Sequence, residues 1–411
     1  MSNQFFNGST AYLFCIKSFL VSMFSLSYLS LTSGIAEANT DTEMSTPTYP
    51  ATYSVTAPAH LSGQKLNGPR QSTVAIQNLF ADNAVILQYH HVAEDTPAIT
   101  STRPDIFAEH LAYIAEYFTV LPLPKVIDAL RQGTKVPTNT LVITFDDGYE
   151  NIYRIAHPLL QSYGFPYTVF VNPPAIGQSK KQLTWEQITQ MQNEGVTFAN
   201  HTLDHLHLLD RLPNENEADW LARIVKNITT AEAQLTEKIG YSLKYLAYPF
   251  GEFSTVVKNR LKALDYTAFA QHSGGISSFS DFGTLPRFPA GGRYASLKTL
   301  KTKMHSLAFP VIENSITDPV VTPTMPERML LSVDNTDFYT SQVGCFFQGD
   351  RLEVVRGNIA GVANVTVKLP KEWPLGRSRI NCTAPSKTQK GRFYWYSQPF
   401  FKARKDGTFI D

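Results

Sequence analysis

The feature that most constrains the fold is a repeated alternation of short apolar segments with segments of helical periodicity between residues 84 and 270. Runs of aliphatic and aromatic residues predict buried strands, and apolar residues three or four positions apart predict the helices between them. Strands are predicted at 85–89, 119–121, 141–145, 167–171, 196–199, 243–248 and 267–270. Repeated strand–helix units of this length predict a parallel sheet, either open or closed into a barrel.

Polar groups suited to chemistry directly follow several of the predicted strands: Asp146-Asp147, His90-His91 and His201. The carboxyl ends of parallel strands meet at one end of a barrel, so this placement favours a barrel with its site there. Adjacent ionised carboxylates at such a place are costly to desolvate unless a positive charge lies near them. The pattern therefore predicts a cation beside the aspartate pair.

Two histidines at positions i and i+4, His201 and His205, complete a candidate metal site with one aspartate. One carboxylate and two imidazoles leave an open coordination position, which suits hydrolysis by a metal-held water. His207 could replace His205 as the ligand, and both remain candidates. In an extended chain Asp146 and Asp147 point in opposite directions, so one would face the metal and the other the reaction centre.

Three further segments each have a functional and a purely structural interpretation. His90 and His91 could supply a general acid, because imidazole titrates near neutral pH, or could be one core and one exposed histidine. Tyr248-Pro249-Phe250 could form a groove wall with backbone N–H groups aimed at an oxyanion, or a plain Pro-Gly turn. Arg287 could reach the acidic cluster or belong to an ordinary loop.

The N-terminal 38 residues predict an export signal. Lys17 precedes an apolar run at 19–31, and Ala36-Glu37-Ala38 has the small-x-small pattern of a cleavage site. We therefore expect a periplasmic or extracellular protein with no transmembrane span in the mature chain; the alternative is an uncleaved anchor. Residues 39–83, rich in Thr, Pro, Ala, Ser and Gln, predict a linker. With 36 Lys+Arg against 35 Asp+Glu and no basic patch, nucleic acid is not an expected partner.

The C-terminal part of the chain has a different pattern. Four prolines within 309–326 predict a second linker, and residues 327–411 alternate apolar and polar positions between turns. This alternation predicts a small all-β, sandwich-like domain. Cys345 and Cys382 are an even pair in an exported chain and predict one disulfide, with two free buried thiols as the alternative.

Three motifs, in this order and spacing, resemble those of the NodB-type polysaccharide deacetylases, carbohydrate esterase family 4: Thr144-Phe-Asp-Asp-Gly148, His201-Thr-x-x-His205 and Tyr248-Pro-Phe-Gly251. The resemblance covers residues 84–305 and implies a NodB homology domain at 84–308. It implies a distorted (β/α) barrel with a divalent metal bound by an Asp-His-His triad. Carried over by position, Asp146 looks like the catalytic base, and Asp147, His201 and His205 look like the metal ligands.

The chain departs from the family pattern at two places. Ala247 and Tyr248 stand where many members have an arginine, and no clear Leu-x-His motif follows residue 270. Both departures, together with Tyr89-His90, are similar to the branch of poly-N-acetylglucosamine deacetylases. In that branch the early histidine is the general acid, which corresponds to His90 here. By charge logic, Arg287 would take the place of the missing arginine.

The function that this resemblance implies is hydrolytic removal of acetyl groups from N-acetylglucosamine units of a polysaccharide, by a hydrolase of non-peptide amide bonds. Mixed Asp and His ligands fit Zn²⁺ best, and Ni²⁺ and Co²⁺ accept similar ligands. One alternative is an O-acetyl esterase acting on xylan or another acetylated polymer. The other is a glycan-binding protein without catalytic activity.

Overall fold

A computed structural model describes residues 80–410 of the 411-residue chain. The predicted signal peptide at 1–38 and residues 39–79 of the predicted linker lie outside the described residues. Within 80–410, no helix combines the length and the apolar character needed to cross a membrane.

The first part of the described chain alternates strands and helices, as predicted. Its strands are β1 (Phe80–Ala81), β2 (Ala84–Tyr89), β3 (His91–Val92), β4 (Ser101–Thr102), β5 (Thr119–Val120), β6 (Val136–Pro137), β7 (Thr140–Phe145), β8 (Tyr167–Val171), β9 (Thr197–Asn200), β10 (Tyr245–Ala247), β11 (Thr267–Phe269), β12 (Phe288–Pro289) and β13 (Leu307–Ala308). Its helices are α1 (Pro104–Tyr117), α2 (Leu123–Arg131), α3 (His157–Ser162), α4 (Trp185–Asn193), α5 (Glu217–Ile239), α6 (Thr255–Lys262) and α7 (Leu297–Met304). A π-helical turn, Ile152–Ala156, leads into α3.

The main sheet is parallel and runs in the order β11-β10-β9-β8-β7-β2-β12. The segment 285–290 joins its two ends. The Leu285 N–H donates to the Ala268 carbonyl beside β11, and the Ala290 N–H donates to the Gln88 carbonyl of β2. The sheet therefore closes into a barrel. The closing strand β12 has only two residues, so the barrel is irregular, and the predicted distorted (β/α) barrel is confirmed.

The barrel strands and their helices follow from the local sequence. Every residue of β2 and β7 is buried, because one face points into the barrel and the other is covered by helices. Helix α4 begins at a capping box, in which the Thr184 side chain and Gln187 satisfy each other's backbone N–H groups. Helix α5 ends at Gly240, whose φ of 84° is the left-handed conformation that glycine adopts without strain.

The C-terminal part consists of two antiparallel sheets. Its strands are β14 (Val311–Asn314), β15 (Arg328–Val333), β16 (Gly344–Phe347), β17 (Asp350–Arg351), β18 (Val354–Ile359), β19 (Val362–Lys368), β20 (Gly376–Pro385) and β21 (Phe393–Lys402). The sheet orders are β13-β21-β20-β16-β17 and β14-β15-β19-β18, and side chains of both sheets meet in one core. The predicted linker 309–326 contains β14, which pairs with β15. The predicted domain boundaries remain predictions.

The C-terminal sheets are attached directly to the barrel part. Strand β13 pairs in parallel with β21, although β13 directly follows the last barrel helix. The indole of Trp395 in β21 meets the ring of Phe288 in β12 edge-on, with the ring centroids 5.4 Å apart. The C-terminal sheet that contains β21 is thereby held close to the closing strand of the barrel.

The predicted disulfide is present. Cys345 in β16 and Cys382 in β20 lie opposite each other in the antiparallel register and are bonded, and both are fully buried. The bond crosslinks two neighbouring strands of one sheet, across a sequence separation of 37 residues.

Removing this crosslink is expected to destabilise the C-terminal sheets. In the double variant Cys345→Ala/Cys382→Ala, the free energy of unfolding should fall by about 3–4 kcal/mol, because the unfolded chain regains the entropy of an open loop. Urea unfolding followed by fluorescence measures the change. A reductant should shift the wild-type midpoint and leave that of the double variant unchanged; a wild-type midpoint insensitive to reductant contradicts this role.

Candidate metal centre and active site

The chemistry-bearing residues meet at the carboxyl-terminal end of the barrel strands. Asp146 follows β7, His90 follows β2, His201 follows β9, and Tyr248 follows β10. These strands are parallel members of one sheet, with β8 between β7 and β9, so their carboxyl ends lie at the same end of the barrel. The sequence placed each group at a strand end, and the barrel brings those ends together.

Asp147, His201 and His205 form one cluster in which a ligand atom of each lies within 4.8 Å of the others. The Asp147 Oδ1 atom is 3.1 Å from the Nε2 atom of His201 and 3.4 Å from that of His205. Asp147 has a φ of 71°, so the chain leaves the extended conformation after Asp146 and turns the second carboxylate toward the histidines. The described residues hold no other group of this kind.

Two of the three candidate ligand atoms have the surroundings expected of a metal site. The Oδ1 atom of Asp147 and the Nε2 atom of His201 are buried, and neither has a hydrogen-bond partner. Buried polar atoms without partners are rare in proteins, and one metal ion bound between these two atoms would satisfy both. The Nδ1–H of His201 donates to the Ala247 carbonyl at 2.8 Å, which leaves the Nε2 lone pair directed at the cluster.

Electrostatics at the cluster favour a positive charge between the ligands. Burial would raise the pKa of Asp147, but the neighbouring histidines lower it well below its usual range. Burial would lower the pKa of His201, but Asp147 and Asp146 raise it above its usual value. Burial, with repulsion by His201, lowers the pKa of His205 to about 4, so its imidazole is neutral at pH 7, the form that binds metals.

His207, the alternative ligand, lies outside this cluster. Its Nδ1 atom is 2.9 Å from Oε2 of Glu252, and its ring stacks on Phe250 with the centroids 3.9 Å apart. The ring of Phe250 also meets that of His205 edge-on, at 4.7 Å. The geometry therefore favours His205 as the third ligand, with His207 supporting the turn behind it.

Asp146 is fully buried and is held by two side chains. Arg287 donates from both terminal nitrogens to the two carboxylate oxygens, at 2.7 and 2.8 Å. Gln88 donates its amide N–H to Oδ2 at 2.6 Å. Burial alone would raise the pKa of Asp146, but the positive charge of Arg287, together with His201, lowers it below the usual value. The carboxylate is therefore ionised and fixed in orientation.

Arg287 also has partners of its own in the barrel interior. Its Nε–H donates to the Ala270 carbonyl at 3.1 Å, and its guanidinium lies 5.3 Å from the ring centroid of Phe170. The side chain is entirely shielded from solvent. Arg287 thus reaches the acidic cluster, as predicted from its charge. Gln88 was not among the predicted site residues. It is the one amide in the otherwise apolar strand β2, and a buried amide needs a hydrogen-bond partner, so the sequence did contain a signal for its role.

The two neighbouring histidines have different surroundings. The Nε2 atom of His90 lies 4.0 Å from Oδ2 of Asp146, and the side chain is 19% exposed. His91 is buried, its Nδ1 atom is 2.9 Å from the Asn151 amide, and its ring stacks on Tyr149. Burial and repulsion by His90 lower the pKa of His91 to about 4. Of the two histidines, His90 is therefore the one that lies beside Asp146 and is partly open to solvent.

The turn Tyr248–Gly251 differs from its prediction in one respect. The Tyr248 side chain is fully buried and donates its hydroxyl to the Gly283 carbonyl, so it does not line the site. Its backbone N–H donates to the Phe269 carbonyl, and Pro249 has no N–H. Phe250, with a φ of 55°, is the residue of the three whose N–H remains a candidate oxyanion donor.

Comparison with known proteins finds similarity to polysaccharide deacetylases. A sequence model of the family described as polysaccharide deacetylase matches residues 133–269. The poly-beta-1,6-N-acetyl-D-glucosamine N-deacetylase of Escherichia coli (strain K12) is 24% identical over 255 residues, which are 53% of this chain and 38% of that protein. The enzyme of the same name from Staphylococcus aureus (strain MSSA476) is 30% identical over 126 residues, 28% of this chain and 42% of that protein.

Two solved structures are similar to this chain, with nearly equal TM-scores and the same sequence identity. The deacetylase PplD of Streptococcus pyogenes, in complex with acetate, has a TM-score of 0.49 and 22% identity, covering 54% of this chain and 98% of that one. IcaB from Ammonifex degensii has a TM-score of 0.48 and 22% identity, covering 55% and 99%. The chain spans less than half the length of the two deacetylases named above, 38% and 42%. The family match includes both aspartates and all three histidines of the His201–His207 run, and it identifies a polysaccharide deacetylase domain at residues 133–269 of this chain.

Proposed function

We propose that the protein hydrolyses the N-acetyl groups of N-acetylglucosamine units in a polysaccharide, with a divalent metal held by Asp147, His201 and His205. The observation that carries the proposal is the meeting of this ligand cluster with a second, separately held carboxylate, Asp146, at the barrel end. Two relatives named as N-deacetylases of poly-β-1,6-N-acetylglucosamine support the amide as the bond and this polymer as the first candidate substrate.

The metal would be Zn²⁺ on the basis of the donor set, one carboxylate oxygen and two imidazole nitrogens. A bound ion of this kind supplies Lewis-acid polarisation of the acetyl carbonyl and makes a water molecule more acidic. The chain contributes three neighbouring donors, two of them buried without other partners, and the Ala247 carbonyl that orients His201.

Asp146 would act as the base that removes a proton from the attacking water. Arg287 and Gln88 hold its carboxylate in one orientation and keep it ionised. Water oxygen would bond to the acetyl carbon, and the Phe250 N–H would stabilise the negative charge that develops on the carbonyl oxygen. The carbon–nitrogen bond then breaks, His90 protonates the departing amine, and the products are acetate and a glucosamine unit.

An exported location fits this function, because the polymer lies outside the cytoplasm. The Cys345–Cys382 disulfide supports it, since structural disulfides persist in oxidising compartments.

The function is tested by a screen for acetate release. The substrates are chitin oligomers, poly-β-1,6-N-acetylglucosamine, peptidoglycan and acetylated xylan, each assayed with and without a chelator. We expect release from at least one N-acetylglucosamine polymer, its loss with chelator, and its return with Zn²⁺. Release from xylan alone would identify an O-acetyl esterase. Glycan binding without release from any substrate would identify a binding protein.

His90→Gln is expected to lower turnover on an N-acetylated substrate by ~10²–10⁴-fold, the loss typical of a general acid. The loss on an O-acetylated sugar should be smaller, because an alkoxide needs less protonation to leave than an amine does. The matched control is His91→Gln, in which the neighbouring histidine is replaced at the buried position beside Asn151. Turnover and metal content are measured on both variants. An unchanged rate in His90→Gln would remove this residue from the mechanism.

A further inference from the structure

We propose that Arg293, Lys303 and Arg379 form an anion-binding subsite on the rim of the active-site face, which binds a carboxylate or phosphate group of the substrate polymer. The inference rests on the proposed deacetylase function and adds a class of candidate substrates to the neutral polymers named above: acetylated polymers that carry fixed negative charge.

The three cations are gathered around one aromatic ring, that of Tyr294. The Lys303 Nζ atom lies 4.7 Å from the ring centroid, and the guanidinium carbons of Arg293 and Arg379 lie at 5.0 and 5.6 Å. Both arginines donate to the Tyr294 hydroxyl, at 2.8 and 3.2 Å. Three like charges are thus held together by a ring face and a phenol oxygen.

No carboxylate offsets these charges at short range. Among the ion pairs of residues 80–410, none includes Arg293, Lys303 or Arg379. Burial, and then repulsion by Arg379, lower the pKa of Lys303 to about 8. The pKa of Arg379 is also lowered, by burial first and by its basic neighbours. A partly buried group of cations without counter-charges attracts an anion.

The cluster is connected to the proposed active site by direct contacts. Arg379 donates to the backbone carbonyl of Gln271 at 3.4 Å. Gln271 packs so closely on Gly251 that a Cβ atom at Gly251 would lie 2.6 Å from the Gln271 backbone nitrogen. Gly251 directly follows Phe250, whose ring contacts His205. Arg293 follows β12, which runs parallel to β2, so the cations lie at the same end of the barrel as the proposed active site.

Two parts of the fold build this subsite. Arg293 and Tyr294 follow the closing strand β12, and Lys303 lies on α7, whereas Arg379 comes from β20 of the C-terminal sheets. In the same strand Arg377 donates to the Phe250 carbonyl at 2.6 Å and to the Gln271 side chain at 2.9 Å. The C-terminal sheets thus contribute to the substrate-facing rim, a role that their position along the chain does not indicate.

The test measures binding of matched charged and neutral ligands to the metal-loaded mature protein by calorimetry. The ligands are hyaluronan oligosaccharides, in which N-acetylglucosamine alternates with a carboxylate sugar, the same oligosaccharides after reduction of the carboxylates, and a phosphodiester-linked N-acetylglucosamine oligomer. We expect an anionic oligomer to bind at least fivefold more tightly than the reduced one, and added NaCl to remove the difference. The tighter of the two anionic ligands identifies the group that is bound.

Arg293→Gln/Lys303→Gln should weaken binding of the anionic ligand by two- to fivefold for each cation lost, the range for solvent-accessible ion pairs. Binding of the reduced oligosaccharide should not change. Lys371→Gln, which removes an exposed positive charge that is not among the cations at the Tyr294 ring, is the matched control, and melting temperatures verify that all variants are folded.

Equal affinity of wild-type protein for charged and reduced oligosaccharides would overturn the subsite, as would equal effects of the double variant and Lys371→Gln. Cations that serve only to join the two parts of the fold would give that result, together with a lowered melting temperature. Acetate release from the substrate screen is measured on the same preparation. Its absence would contradict the deacetylase function, whereas a loss of charge discrimination alone would contradict only the subsite.

Discussion

Asp146→Asn is expected to lower the rate of acetate release by ~10²–10⁴-fold, the typical contribution of a positioned general base. The substitution keeps the size of the side chain and removes the proton acceptor, while Asp147, His201 and His205 are unaltered. Metal content should therefore stay at the wild-type level. Turnover is measured at saturating substrate, with metal quantified on the same sample.

The same substitution has a second consequence that must be separated from the first. Arg287 would keep its charge in a fully buried position without a carboxylate partner, which costs roughly 3–5 kcal/mol of stability. Assays are therefore made below the melting temperature of the variant. Asp128→Asn, the same change at an exposed position of α2, should match wild type in turnover and in stability. Near-wild-type turnover of folded Asp146→Asn would contradict the assignment of the base.

Arg287→Met is expected to have the second largest effect, on both stability and rate. It leaves Asp146 as the uncompensated buried charge, so the free energy of unfolding should again fall by roughly 3–5 kcal/mol. Burial then raises the pKa of Asp146 without the opposing charge of Arg287, so the carboxyl is protonated over a wider pH range. The acidic limb of the rate profile should move to higher pH, with a reduced rate at pH 7.

A double-mutant cycle makes this prediction sharper. Arg287→Met/Asp146→Asn removes both charges, so its loss of stability should be smaller than the sum of the two single losses. Arg287→Lys retains the charge without the two-pronged contact and should lie between wild type and Arg287→Met in its pH profile. Additive losses of stability, or a wild-type pH profile in Arg287→Met, would show that the pair does not hold the base.

The sequence was sufficient for the parts of the fold that depend on local patterns. Buried parallel strands leave long apolar runs, so β2, β7 and β8 were predicted nearly to the residue. The aspartate pair was placed at a strand end for the same reason. Apolar–polar alternation likewise predicted the C-terminal sheets, and the cysteine pair was predicted from count and compartment.

Features that depend on long-range geometry were not predictable in this way. The choice between His205 and His207 depends on positive φ angles at Asp147 and His205, which turn these side chains toward one point. The barrel is closed by 285–290, a segment too short and irregular to show strand periodicity. The burial of the Tyr248 side chain depends on its contact with Gly283. The position of the Arg379 side chain depends on its contact with Tyr294. Both contacts join distant parts of the chain.

The proposed mechanism depends on one cation being shared by Asp147, His201 and His205. The direct measurement is the metal content of stripped and reloaded protein, with the ion located by anomalous X-ray scattering. We predict one divalent ion per chain at about 2 Å from the three ligand atoms. It should be lost in His201→Ala and His205→Ala and retained in His207→Ala and Asp146→Asn. A protein that binds no ion, or an ion that persists in His201→Ala, would contradict this metal site.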